Sequence, residues 1–392
     1  MNLEGAIRVT ILADLPVDAL HGAAQGRGAG HAATWLSQLA EAFTKEKDLE
    51  IHWIVLRNDV AGDSTEQIAG QFVHVLRRRS LTVDMVTAHL FSRYKMLRKI
   101  REINPDIIHV WGSEGSYASV IGSSNVPSVM SMQGILSEYD RIGSFKDNWR
   151  MRLQALYEKK WIKMATVVTT ESQWGKDKVK LIAPHADCRI VEYGVNPSFY
   201  SVPWNPEPSS PCFIYSGSLD WRKGFDLLLE AASIPPIPIW KLSIAGSGPM
   251  LGKMLKKSLP HTVYLGNMIW SDMQDQMSRS WGLVLPTRAD TSPNAVKEAR
   301  VIGLPVITSV HGGQSSYIRS GKNGFIVDPL TATGIRQAMD LVANDFHRML
   351  ELGASGHEED RDYFKPDHTA HGFSLLYREL HRARHSKNHS VS

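Results

Sequence analysis

Cysteine is nearly absent from this chain. Only Cys188 and Cys212 occur in 392 positions, at no spacing that would hold a metal. So sparse a supply excludes a disulfide framework and fits a reducing compartment, so a cytoplasmic location is expected. Long apolar runs are missing too: none approaches the roughly eighteen residues that span a bilayer. Excess charge of one sign is small. The formal net charge is +4 at pH 7, which argues against a dedicated nucleic-acid binder. The first residues lack a basic segment followed by a signal core and read instead as a strand. No acidic pair stands out as a metal holder, and the 16 histidines are scattered. His381 and His385 share one helix face, but they lie in a polar tail without a third ligand. Neither a metal nor a cofactor is expected.

What remains is the composition of an ordinary globular protein, 43% hydrophobic and 21% charged, long enough for about two domains. The first half alternates β-rich runs with helical patterns. Strands are expected at Ile7–Leu12, Ile51–Leu56, Phe72–Leu76, Ile107–Trp111, Ser128–Met132, Thr166–Thr170 and Arg189–Tyr193. Helices are expected over His31–Phe43, Thr82–Ile103 and Asp147–Lys163. The segment Asn196–Pro211 carries five prolines, which preclude a regular helix or central strand, and reads as a linker. The alternation then restarts with strands at Cys212–Ser216, Trp240–Ala245, Val263–Leu265, Leu283–Leu285, Val306–Thr308 and Gly324–Val327. Helices lie near Phe225–Ala232, Ser271–Arg279, Asn294–Ile302 and Ala332–Asn344. The pattern predicts an α/β protein of two doubly wound parallel-sheet domains, residues 1–200 and 201–362, then a helix and polar tail over 363–392. Such sheets bind ligands beyond the carboxyl ends of their strands, so a cleft between the domains is the expected site.

The most informative stretch runs from Asp290 to Glu298, two carboxylates with seven residues between them. It follows a strand-like run and opens a helix, with Pro293 near the first turn, where a missing N–H costs nothing. Free N–H groups at a helix N-terminus seat phosphate, and carboxylates suit sugar hydroxyls. The pattern reads as a nucleotide-sugar site; the ordinary alternative is a loop Asp before a helix that happens to carry a Glu. At the end of an earlier strand, Gly217 and Ser218 lead to Arg222 and Lys223, cations that suit a pyrophosphate. A solvated basic pair is the alternative. Gly246-Ser-Gly248 reads either as a pocket wall or as a plain turn. In the first domain Gly26-Arg-Gly-Ala-Gly30 precedes a helix. Gly28 opens a formal match to the dinucleotide fingerprint, but about fifteen residues separate it from the strand, where the fingerprint needs a tight turn. A glycine loop closing on a phosphate fits better.

As an ordered set these segments resemble the retaining glycosyltransferases of family 4, which have the GT-B architecture. The set comprises the Gly-rich loop, Gly217 to Gly224, Gly246 to Gly248, and Asp290 to Glu298 with Gly303-Leu-Pro-Val306. Glu192-Tyr-Gly-Val-Asn-Pro-Ser-Phe199 matches as well. The resemblance implies two Rossmann-like domains and transfer of a sugar from a nucleotide-diphosphate donor to a glycan or lipid-linked acceptor, with no metal. It implies that Lys223 meets the donor diphosphate, Glu298 the ribose, and Asp290 the donor sugar. Backbone from Thr291 through Ser292 and Pro293 to Asn294 would meet sugar and phosphate, and Gly28 and Gly30 would approach from the first domain. Base and sugar selection would fall to Gly246–Gly248, to Asn267 and its neighbours, and to Asp290–Ser292.

Three departures stand out. Ser218 replaces an arginine, for which Arg222 could substitute; Asp290 replaces the usual Glu; and Gln133 stands where a histidine often follows a first-domain strand. Glutamine can hydrogen-bond a sugar but cannot act as a base. Glu114 and Glu138 are the other candidates for the acceptor side. Basic stretches with aromatics, Arg77–Arg101 and Phe145–Lys163, fit peripheral contact with the inner membrane surface as well as they fit ordinary packed helices. Two other functions share the architecture: a non-catalytic binding subunit and a nucleotide-sugar epimerase.

Overall fold

The computed structural model describes residues 5–17, 35–78, 80–234, 239–257, 259 and 261–389. The chain forms two compact units, passing from the first to the second after Gly194 and returning at Pro366.

The first unit is built on eight strands: β1 (Ile7–Leu12), β2 (Leu49–Arg57), β3 (Ser64–Ile68), β4 (Gln71–Arg77), β5 (Ile107–Trp111), β6 (Ser128–Ser131), β7 (Val167–Thr170) and β8 (Cys188–Ile190). Their order is β3-β4-β2-β1-β5-β6-β7-β8. All pairs are parallel except β3 with β4. The central strands read as continuous apolar runs because helices cover both faces. β3, Ser-Thr-Glu-Gln-Ile, was not expected: it is a half-exposed edge strand turned back through Ala69 and Gly70, and it carries no buried-strand signature.

The helix expected over Thr82–Ile103 is broken. Leu81–Val86 and Leu90–Ile103 are separate helices, with Ala88 and His89 at φ of 51° and 63° between them. Side chains distant in sequence force the break. His89 bonds Ser116 Oγ at 3.1 Å and Gln154 Oε1 at 3.0 Å, and buried Asp84 accepts from the Ser92 hydroxyl.

The closing helix, Pro366–His389, is not a separate tail. It belongs to the first unit, where Phe373, Leu376, Tyr377 and Leu380 are buried in the cluster around Val9, Phe43 and Trp53. The Tyr377 hydroxyl meets His109 Nδ1 at 2.5 Å, and Arg378 pairs with Glu46 and Asp48. Complete burial pushes the His109 imidazole down to about 3, so it is neutral.

The second unit has six parallel strands: β9 (Cys212–Ser216), β10 (Lys241–Ala245), β11 (Thr262–Gly266), β12 (Gly282–Leu285), β13 (Val306–Ser309) and β14 (Gly324–Val327). Their order is β11-β10-β9-β12-β13-β14. The order reverses between β9 and β12, so the loops leaving these two neighbours part company and open a crevice at their carboxyl ends. The proline-rich segment read as a linker is packed into this unit. Phe199 is fully buried, Trp204 Nε1 donates to Ser280 O at 2.8 Å, and Trp281 Nε1 donates to Glu207 O at 2.9 Å. Prolines kept it irregular without making it loose.

Candidate active site

The loop after β9 lies directly on the loop after β10. Gly217 N donates to Ala245 O at 3.2 Å, Leu219 N to Ser247 O at 2.9 Å, and Met250 N to Leu219 O at 2.9 Å. A Cβ on Gly246 would strike the Gly217 carbonyl, and one on Gly248 would lie 2.7 Å from the Leu219 backbone. Both glycines are therefore required by loop-on-loop packing, whatever else they meet. Ser218 is half-buried, and its carbonyl accepts from the Tyr215 hydroxyl at 2.6 Å. Asn267 is exposed beyond β11, whose Gly266 carbonyl accepts from Gly246 N at 2.7 Å.

At the end of the β9 loop the chain turns through Gly224, at φ 70°, where a side chain would collide with Pro286 O. The turn aims Arg222 and Lys223 at the loop after β12. Lys223 Nζ pairs with the Asp290 carboxylate, and Arg222 Nη1 reaches the same oxygen at 3.5 Å and Ala289 O at 3.0 Å. Arg288 N returns a bond to Arg222 O at 2.7 Å. Burial alone would raise the Asp290 carboxyl; the Lys223 and Arg222 charges outweigh it and hold the group below its usual value. Lys223 N also donates to Asp220 Oδ1 at 2.8 Å, so this turn gathers two cations and two carboxylates.

The chain continues through buried Thr291 and Ser292 into the helix Asn294–Ile302. Pro293 occupies the N-cap, and among the described residues no side chain caps the helix. Val296 N donates to Pro293 O at 3.0 Å, which leaves the N–H groups of Asn294 and Ala295 to a ligand or water. Ser292 Oγ meets the Tyr317 hydroxyl at 3.0 Å. Farther along, Glu298 is half-buried and has no hydrogen bond or ion pair among the described residues. Burial pushes its carboxyl up to about 7 against the opposing charge of Lys297. Arg300 fixes this helix from behind: wholly buried, it bonds Asp360 at 2.7 Å, Leu304 O at 3.1 Å and Ser355 O at 2.6 Å.

In the first unit, Glu114 follows β5 and Gln133 follows β6, both half-buried. Glu138, the remaining acceptor-side candidate, is an ion-paired carboxylate. Burial works to raise its carboxyl, yet Arg141 at 2.6 Å and Lys178 at 2.8 Å hold it below its usual value, as a paired carboxylate. Gly28 and Gly30 lie outside the described residues. Sequence reasoning missed Glu158, a carboxylate with no exposed surface that accepts from Ser113, Leu136 and Ser137. Its signal was an acid on the helix stripe shared with Ala155, Trp161 and Ile162. Among the described residues no cluster of three or more His, Cys, Asp or Glu could hold a metal, and no helix is long and apolar enough to cross a membrane.

The second unit's segment 200–357 matches the family described as glycosyl transferases group 1. The chain is 22% identical to the O-antigen chain mannosyltransferase C of Escherichia coli, over 45% of this chain and 49% of that protein. It is 23% identical to a GDP-mannose-dependent alpha-mannosyltransferase of Corynebacterium glutamicum, over 58% and 57%. The chain thus spans about half the length of these curated relatives. Its fold superposes on sucrose-phosphate synthase from Thermosynechococcus elongatus with a TM-score of 0.77, at 18% identity, covering 96% of this chain and 100% of that one. The Anabaena protein HepE, solved in complex with UDP-glucose, gives 0.69 at 14% identity, covering 95% and 100%. Residues 200–357 thus match the glycosyl transferases group 1 model, and the chain has the fold of those structures, the GT-B framework of two Rossmann-like domains.

Proposed function

We propose that the chain transfers a sugar from a nucleoside-diphosphate donor to a glycan or lipid-linked acceptor, with retention at the anomeric carbon. One observation carries the reading: at the β9/β12 crevice the Lys223–Arg222–Asp290 cluster is followed directly by a helix N-terminus that no side chain caps among the described residues, on a helix whose Glu298 has no partner among those residues. The diphosphate suits the cations and the bare N–H groups. The ribose diol suits Glu298, and Arg222 supplies the charge that Ser218 lacks. As the sugar–phosphate bond breaks, negative charge grows on the leaving diphosphate. Lys223 and the helix N-terminus oppose it with fixed charge, in the role that a metal ion fills elsewhere. Retention rests on the family resemblance. The test is calorimetry and donor turnover with the full chain against a panel of nucleoside diphosphates and their sugars. Binding of a nucleoside diphosphate with sugar release or transfer supports the reading; no binding by any member of the panel overturns it.

A membrane-borne acceptor is favoured by the surface of the first unit. The helix Trp149–Met164 carries one carboxylate, Glu158, and turns it inward. Outward it presents Trp149 and Leu156, 57% and 61% exposed, among Arg150, Arg152, Lys159, Lys160 and Lys163. Val83, Val86, Leu90, Phe91 and Tyr94 form another exposed apolar row. Apolar anchors among cations match an anionic bilayer surface. The protein is expected to sediment with vesicles of anionic lipid and to dissociate as salt rises. The triple change Trp149→Ala, Lys159→Glu and Lys160→Glu should abolish this while nucleotide binding persists. Indifference to such vesicles at low salt rejects the membrane contact.

A further inference from the structure

The inner face of the helix Trp149–Met164 holds two polar side chains with no exposed surface, Gln154 and Glu158, four residues apart and so on one face. Both reach the same place. Glu158 Oε2 accepts from Ser113 Oγ at 2.5 Å and Leu136 N at 2.9 Å; Oε1 accepts from Ser137 N at 2.8 Å and from the Ser137 hydroxyl. Gln154 Nε2 donates to Ser113 O at 2.5 Å and Gly115 O at 3.0 Å. One carboxylate thereby ties the loop after β5 to the turn after β6. These are the carboxyl ends of adjacent parallel strands, where sheets of this kind meet ligands.

Glu114 sits between the two tied segments. A Cβ added to Gly134 would lie 3.2 Å from Glu114 Oε1, and one added to Gly112 would strike the same carboxylate and lie 3.5 Å from Gln133 Oε1. Glu114, from one loop, and Gln133, from the other, are neighbours because the loops are held together. A buried carboxylate is a costly fastener. Apolar packing would join two loops at least as firmly, whereas a fully hydrogen-bonded acid fixes one geometry.

We infer that Glu158, assisted by Gln154, is a positioning residue that sets Glu114 and Gln133 side by side as a polar pair for the hydroxyls of a sugar. This rests on the glycosyl-transfer reading above. Glu158 itself is sealed from solvent and acts through the loops.

The experiment is a double-mutant cycle in the full chain. Glu158→Gln keeps the volume but offers one acceptor oxygen where two are used. Nucleoside-diphosphate affinity, a property of the second domain, should stay within about twofold of the parent, while turnover with sugar donor falls on the order of tenfold or more, as small misplacements do. Glu114→Ala should lower turnover as well. The double variant should be little worse than Glu114→Ala alone, because Glu158 works through that residue. A merely structural Glu158 would instead give additive losses together with weaker nucleotide binding. If Glu158→Gln fails to fold, Ser113→Ala and Ser137→Ala each remove part of the fastening and enter the same cycle. Additive losses, or full turnover in Glu158→Gln, overturn the inference while leaving the transfer reading intact. A parent protein that turns over no donor overturns that reading, and this role with it.

Discussion

Lowering the pH should weaken nucleotide binding through Glu298. Its carboxyl is pushed up to about 7 by burial, with no hydrogen-bond partner among the described residues. Ribose hydroxyls are donors and need the ionised form. If only the carboxylate binds, the competent fraction is about nine tenths at pH 8 and about one tenth at pH 6, so affinity drops roughly tenfold. Binding near pH 6 should also release close to one proton, visible as a heat that depends on the buffer. Calorimetry at several pH values, in buffers of different ionisation heat, measures both. Phosphate titration contributes to the slope, and Glu298→Gln isolates it: the variant should bind about 1–3 kcal/mol more weakly at pH 8, lose part of the slope, and lose the released proton. Stability moves the other way. The folded value lies above the ordinary glutamate value of 4.5, so the neutral form is favoured in the native state. That contribution is full below about 4.5 and fades as pH rises through 7. Glu298→Gln should therefore gain stability relative to the parent at pH 8 and lose the advantage at pH 5. Identical slopes and identical proton release in parent and variant would refute the reasoning.

Removal of the Lys223 charge by Lys223→Ala should reduce turnover by about a hundredfold while weakening diphosphate binding less, because leaving-group charge peaks in the transition state; comparison of single-turnover rates with nucleotide affinity decides it, and normal turnover contradicts it. Activity is expected to survive excess chelator, and complete loss restored by Mg²⁺ or Mn²⁺ would reject the fixed-charge mechanism. Arg300→Met should cost about 3–5 kcal/mol in urea unfolding, because it strands Asp360 and three carbonyls behind the site helix; a change within about 0.5 kcal/mol, the size of a surface substitution, would show that the buried pair carries no such weight.

Much of the architecture was legible because its strands are short apolar runs between clear punctuation. Ile107–Trp111, Cys212–Ser216 and Gly324–Val327 match the expected spans, and Phe225–Ala232 and Asn294–Ile302 are bounded by Gly224, Pro293 and Gly303. What stayed hidden depends on partners distant in sequence. The break at Ala88–His89 needs Gln154, and the polar edge strand Ser64–Ile68 exists only beside β4. The apolar stripe of the closing helix looks the same in sequence whichever unit it covers. The site behaves likewise. The order of its motifs could be read along the chain, but the pairing of Lys223 with Asp290 and the inward turn of Glu158 could not. The pairing of Glu138 with Lys178, which comes from another helix, was likewise not legible in the sequence.

The return of the chain at Pro366 imposes a timetable on synthesis. Residues 195–365 are contiguous, so the second domain has all its parts while the ribosome is still at work. The first domain, begun earlier, does not. His109, Glu46 and Asp48 emerge long before Tyr377 and Arg378, their partners on the last helix. Until those later residues appear, the apolar face around Val9, Phe43 and Trp53 lacks part of its cover. A stop just after residue 365 therefore injures the domain that was started first, and leaves the second domain whole.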